Sequence, residues 1–198
     1  MAFKGVDRYF KGYEKEKVLS PNGRMKTRYI YRGEYYKLIL SEGKSPQKIK
    51  ALSILYLILY IAATIAAGFL PVVGNIQGVG AVGLLALTGF IPALFWAGSV
   101  LEFATSRNYM VYRKYSYGIL RMPKAISIVR FFAAAELFLN VFIVAYYHSR
   151  IDSVANEIIF AALIAAKLVL SNLALRDVRQ IDVEEVPYEL VPEEERES

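Results

Sequence analysis

Four long apolar stretches, at about 50–70, 79–104, 125–148 and 156–176, alternate with short polar segments along this chain. An α-helix rises 1.5 Å per residue, so about 20 apolar residues cross a hydrocarbon core of about 30 Å. Each stretch meets or approaches that length, and the pattern predicts four transmembrane helices. Ser45-Pro46 predicts the first start, with Ser as N-cap and Pro at the first helical position. Ala51 to Leu70 then runs twenty residues without a charge until Pro71. In the second span Gly80 and Gly83, with Ala81 and Ala86, permit close helix approach. The strict GxxxG at Gly74–Gly78 falls in the connection before it and carries no weight. Pro92 cannot donate to the carbonyl of Thr88, so Thr88 and Pro92 form a candidate hinge.

The third and fourth spans carry ionisable residues where lipid disfavours them. Glu136 has Asn140 one turn on, and Lys167 has Ser171 one turn on. A charge at the centre of a membrane helix costs about 2.5–3.5 kcal/mol on insertion scales. Counted from Ile126 and from Leu175, Glu136 and Lys167 lie roughly 15 and 12 Å below one surface, at 1.5 Å per residue. Their depths agree within one turn, which predicts a facing pair and a polar seam of Glu136, Lys167, Asn140 and Ser171, or alternatively a pathway. At the membrane edge, Glu102 and Arg130 are expected to form an interfacial ion pair.

The polar segments predict less regular structure. Phe3, Val6, Phe10 and Tyr13 recur at helical spacing among lysines and arginines, as in a basic helix lying on a membrane surface, while Gly5 and Gly12 weaken that helix and leave a frayed tail as the equal alternative. Asn22-Gly23 suits a hairpin turn between Lys17–Leu19 and Thr27–Tyr31, and Glu34–Leu40 suits a third strand. The tyrosines at 29, 31, 35 and 36 fit strands beside lipid headgroups better than a nucleic-acid surface, since no nucleic-acid fold accompanies them. The second helix is expected to continue to about Tyr115, with Gly118 breaking it and Pro123 starting the third.

The fold class expected is therefore an all-α membrane protein. It is a four-span antiparallel transmembrane helix bundle with a small N-terminal cytosolic β-hairpin element and a flexible acidic C-terminal tail. The parts are a basic, Tyr-rich segment over 1–47, the bundle over 48–176 and the tail over 177–198, in which IDVEEV alone has strand character.

Composition agrees with this. The chain has 198 residues, 56% of them hydrophobic, one His and no Cys. The absent cysteines remove disulfides, thiolate nucleophiles and Cys-based metal sites. The net charge of +6 conceals an asymmetry: residues 1–50 hold thirteen Lys/Arg against five Asp/Glu, whereas 181–198 hold one Arg against eight acids. The first fifty residues are too polar for a signal peptide's apolar region. The two outer connections contain a single basic residue, Arg150, so the positive-inside rule puts both termini in the cytoplasm of a multi-pass cell-membrane protein. The basic face should meet anionic lipid, and the two oppositely charged ends should attract one another or share a partner.

The chemistry of catalysis is not apparent. There is no H-E-x-x-H, G-x-S-x-G, Walker loop or Rossmann glycine pattern. His148, beside Tyr146 and Tyr147, fits an aromatic belt better than a metal site, even with Asp152 and Glu157 nearby. No enzyme, cofactor, metal or nucleic-acid partner is expected. The function expected is that of a non-enzymatic accessory or scaffold subunit, binding a protein partner or forming a homo-oligomer. The alternative is a small oligomeric transporter or channel using Glu136 and Lys167.

Overall fold

The computed structural model of the chain describes residues 11–19, 25–40, 45–73 and 81–196, without the side chains of 18, 81–88 and 150. The sequence-predicted surface helix at Phe3–Phe10, the Asn22-Gly23 turn and the Gly74–Gly78 connection lie outside the described residues. The elements in order are β1 (Tyr13–Leu19), β2 (Met25–Tyr31), β3 (Tyr35–Leu40), α1 (Pro46–Gly68), α2 (Ala81–Ala104), β4 (Tyr109–Val111), α3 (Met122–Tyr146), α4 (Val154–Val178) and β5 (Ile181–Val186).

Helices dominate, and among the described residues three helical segments are long and apolar enough to cross a membrane: α1, the segment Tyr112–Tyr146 that contains α3, and α4. The part of α2 whose side chains are described, Gly89–Ala104, is a shorter apolar helix. Ser45 caps α1 by accepting from the Lys48 N–H at 3.2 Å, with Pro46 in the first turn. Ser153 caps α4 in the same way through the Asn156 N–H. The four helices pack as a ring in which α1 touches α2 and α4, and α3 touches α2 and α4.

The polarity of this ring is inverted relative to a water-soluble bundle. Ile58, Ile65, Phe95, Phe131, Phe138 and Phe142 point outward, while Ser53, Ser99, Glu136, Asn140, Lys167 and Ser171 are buried. Such an arrangement suits a hydrocarbon surrounding, where outward apolar groups cost nothing and polar ones must find partners inside.

The β-structure divides into two sheets. β1 and β2 form an antiparallel hairpin running from Tyr13↔Tyr31 to Leu19↔Met25. Tyr13 thus opens a strand instead of closing the predicted amphipathic helix. Gly12 adopts φ +86°, and a Cβ there would approach the Tyr31 ring to 2.6 Å, so both backbone and space require glycine. The predicted third strand forms but leaves the hairpin. β3 instead lies at the centre of a separate antiparallel sheet, β4-β3-β5, that joins it to chain arriving after α2 and after α4.

Two expectations need correction here. The acidic tail is not simply a free segment, because Ile181–Val186 pairs with β3 along its length, from Leu40↔Ile181 to Tyr35↔Val186, with Glu184 opposite Lys37. Beyond it, Arg107 donates to the Glu194 carbonyl at 2.8 Å and Arg196 to the Val191 carbonyl at 2.9 Å. Nor does the second helix run on to Tyr115. It ends at Ala104, β4 follows, and a π-helical turn over Tyr115–Leu120 leads into α3. Gly118 is part of that turn and does not break it. Its missing Cβ would stand 2.9 Å from the Phe103 backbone nitrogen, so glycine lets the π-turn lie directly on the end of α2.

One core joins sheet and bundle. Tyr36 of β3 stacks on Tyr115 at 4.2 Å with the rings 9° apart, and packs in a cluster with Phe103, Met110, Met122, Ile126 and Leu175. Tyr31, Tyr35, Val111 and Val191 form a second cluster beneath the hairpin. The third, Val72, Val73, Ile143, Phe160 and Ile164, closes the far end of the bundle.

Candidate functional site

Lys167 of α4 donates from Nζ to Glu136 Oε2 of α3 at 2.5 Å, and the two side chains are only 2% and 5% exposed. Glu136 is the fifteenth residue of α3 and Lys167 the fourteenth of α4, so both sit well inside their helices, where backbone hydrogen bonds fix the Cα atoms. The ion pair does not stand alone: Lys167 Nζ lies 5.5 Å from the centre of the Tyr60 ring on α1, whose edge meets Trp96 of α2 at 5.5 Å. All four helices therefore contribute to the surroundings of one charge pair. An ammonium above an aromatic face gains a further electrostatic contact.

The other members of the expected seam are buried but arranged differently. Ser171 and Asn140 are 0% and 2% exposed. The Ser171 hydroxyl turns back to donate to the Leu168 carbonyl at 2.9 Å, an intrahelical bond open to any serine in lipid. The Asn140 amide nitrogen is buried with no hydrogen-bond partner among the described residues. The pair is thus a local contact, flanked by a serine bonded within its own helix and a buried asparagine that joins neither charge.

A small cavity of about 30 Å³ adjoins the pair, bounded by Tyr60, Thr64, Gly89, Phe132, Glu136 and Lys167. That is room for about one water molecule.

The predicted Glu102–Arg130 pair does not form. Glu102 instead accepts from Arg113 at 3.2 Å, and Arg130 donates to Asn172 at 3.1 Å. Because α2 stops at Ala104, the chain folds back and returns Arg113 to Glu102. Arg130 meanwhile lies roughly 200° around α3 from Ile128, which faces α2, so its side chain reaches α4. Helix α2 is continuous through Pro92, and the Thr88 side chain lies outside the described residues. His148 is exposed, with Nδ1 3.3 Å from the Ala145 carbonyl oxygen, and no group of three His, Cys, Asp or Glu side chains comes together among the described residues.

Sequence reasoning weighed Glu157 only as a neighbour of His148 and missed its buried role. It sits in the first turn of α4, is 6% exposed, and accepts the Val73 N–H at 2.7 Å. The signal available was its position four residues after the Ser153 cap, in the first turn of an apolar helix, where a carboxylate needs a donor. At the opposite end Tyr56 donates to Asp177 at 3.0 Å, and Lys50 donates to the Ser106 carbonyl. These contacts tie α1 to the end of α4 and to the loop after α2.

Comparison of the chain with protein-family models, with characterised proteins and with solved structures finds no match.

Proposed function

We propose that this protein is a non-enzymatic accessory or scaffold subunit of the cell membrane, with four antiparallel spans and both termini in the cytoplasm. The observation that carries this reading is the hairpin β1–β2. Leu19, Met25 and Tyr29 are 67%, 66% and 44% exposed on one of its faces. Glu14, Glu16, Lys26 and Arg28 are exposed on the other. A two-stranded hairpin has little stability of its own in water, and at its Tyr13–Tyr31 end this one packs edge-to-face on Tyr35. Exposed apolar and basic side chains side by side on this hairpin suit a protein partner with an acidic and apolar surface. The bundle then serves as a membrane-bound mount, with the buried Glu136–Lys167 pair fixing how α3 and α4 meet. The positive-inside distribution of Lys and Arg supports the cytoplasmic placement of hairpin and sheet.

The test is mild-detergent extraction from native membranes. Under this reading a single protein co-purifies at constant stoichiometry, and Lys17→Glu with Arg28→Glu releases it without altering the thermal stability of the bundle. A monodisperse chain that keeps no partner overturns the proposal. Transport stands second, supported by the water-sized cavity against Glu136 and Lys167. Proton or ion flux in liposomes that is abolished by Glu136→Gln moves it to first place.

A further inference from the structure

A groove of about 660 Å³ opens between α2 and α3 on the outer surface of the ring. Its walls are apolar: Ile91, Leu94, Phe95 and Ile128 are 58%, 56%, 70% and 48% exposed. Its floor is open because Gly98 contributes no side chain, and a Cβ at that position would meet nothing within 4 Å. From Ile91 to Glu102 the groove follows eleven residues of α2, about 16 Å at 1.5 Å per residue, close to the depth of one leaflet.

The chemistry changes at the mouth. Tyr117, Arg121 and Lys124 line that end, together with Glu102. The Glu102 carboxylate is already held by Arg113 at 3.2 Å, so it does not cancel the cations beside it. Arg121 and Lys124 have no ion-pair partner among the described residues. The Arg121 guanidinium carbon lies over the Tyr117 ring, 3.9 Å from its centre, a cation–π contact that does not neutralise the charge. A neighbouring hollow, sharing Lys124 and Ile128, adds Arg179 to the same rim. Three cations therefore border an apolar slot one leaflet deep.

We infer that this groove is a binding site for one anionic phospholipid, with an acyl chain along Ile91, Phe95 and Gly98 and the phosphate on Arg121 and Lys124. The inference rests on the membrane placement proposed above and assigns a particular lipid class to one face of it. An uncharged slot would accept any lipid tail, and a surface patch of lysines would attract any anion. The joined arrangement selects a molecule that is apolar along about 16 Å and negative at one end.

The test uses the full chain purified in neutral detergent, with lipid binding followed by native mass spectrometry and thermal unfolding. The probes are phosphatidylglycerol, phosphatidylcholine and inorganic phosphate, each offered separately. The expected result is retention of one phosphatidylglycerol and a raised unfolding temperature, with neither phosphatidylcholine nor phosphate matching it. Arg121→Gln with Lys124→Gln should weaken phosphatidylglycerol binding by about tenfold or more. Gly98→Leu should also weaken it by filling the slot, and the open space at Gly98 allows that variant to fold. Equal binding of the two lipids overturns the inference, as does undiminished binding in the charge variant. Loss in the charge variant but not in Gly98→Leu would mean a charged patch without a groove, and equal stabilisation by phosphate would mean an anion site; either result overturns it. A chain recovered in the soluble fraction without detergent would refute the membrane placement itself, whereas an integral chain lacking lipid preference refutes only the site.

Discussion

Glu136→Gln is expected to leave Lys167 with its ammonium in a place that is 2% exposed and without its carboxylate. Removing one partner of a buried ion pair costs about 3–5 kcal/mol, because the other charge is left uncompensated. Here Tyr60, with its ring centre 5.5 Å from the ammonium, offsets part of that, which favours the lower end of the range. For a chain of this size each kcal/mol shifts the unfolding midpoint by roughly 2–4 °C, so a loss of about 3 kcal/mol corresponds to roughly 6–12 °C. Lys167→Met removes the second charge and retains most of the side-chain volume. The double variant then keeps one imperfectly satisfied Gln amide, a cost of about 1–3 kcal/mol. The coupling between the sites should therefore be favourable and on the order of 2 kcal/mol. The assay is a four-member cycle of wild type, both single variants and the double variant, unfolded thermally in one detergent at fixed lipid content. Single losses that simply add, with coupling below about 0.5 kcal/mol, would refute the claim that the 2.5 Å contact organises α3 and α4.

Three further outcomes are expected. Glu157→Ala should cost about 1–3 kcal/mol and speed hydrogen exchange at the Val73 amide, whereas Glu157→Gln keeps an acceptor and most of the stability; equal losses in the two would refute the acceptor role. Ending the chain after Gln180 deletes β5, so proteolysis of residues 25–40 and exchange of β3 amides should both accelerate; unchanged protection would mean the β3–β5 ladder is not populated. Burial pushes the Tyr31 phenol up from 10.0 to about 12, so its contribution to stability is fully present below pH 10 and is lost as pH rises toward 12. The stability difference between wild type and Tyr31→Phe should narrow across that interval, and a difference constant in pH would exclude preferential burial of the neutral phenol.

The helices were legible because each is written in one continuous piece of sequence. Ser45-Pro46 and the uncharged Ala51–Leu70 run carry both cap and span locally, and the spacing of Glu136–Asn140 and Lys167–Ser171 places each pair on one helix face. The sheet was not legible in that way. β3, β4 and β5 come from near residues 37, 110 and 183, and no local pattern records which strand pairs with which. In β5 the alternation of Ile181 and Val183 is broken at Glu185, so the segment resembles the solvated acidic run that follows it. Its inward face becomes evident only against Leu38 and Leu40, which pack on the same core.

The errors at the site have a related cause. Depth along a helix can be counted, but azimuth relative to a neighbour depends on how the helices are rotated. Glu136 and Lys167 lie where a misplaced charge has a severe cost, so depth alone was nearly sufficient to pair them. Glu102 and Arg130 lie at an edge where several partners are within reach, and exposed or half-exposed pairs are worth only about 0–1 kcal/mol. With so little energy at stake, the route of the backbone decides the pairing. The turn after Ala104 carries Arg113 back to Glu102, and the rotation of α3 turns Arg130 to Asn172. The same rotation leaves Lys124 and Ile128 facing α2, and with the bare Gly98 it opens the groove there.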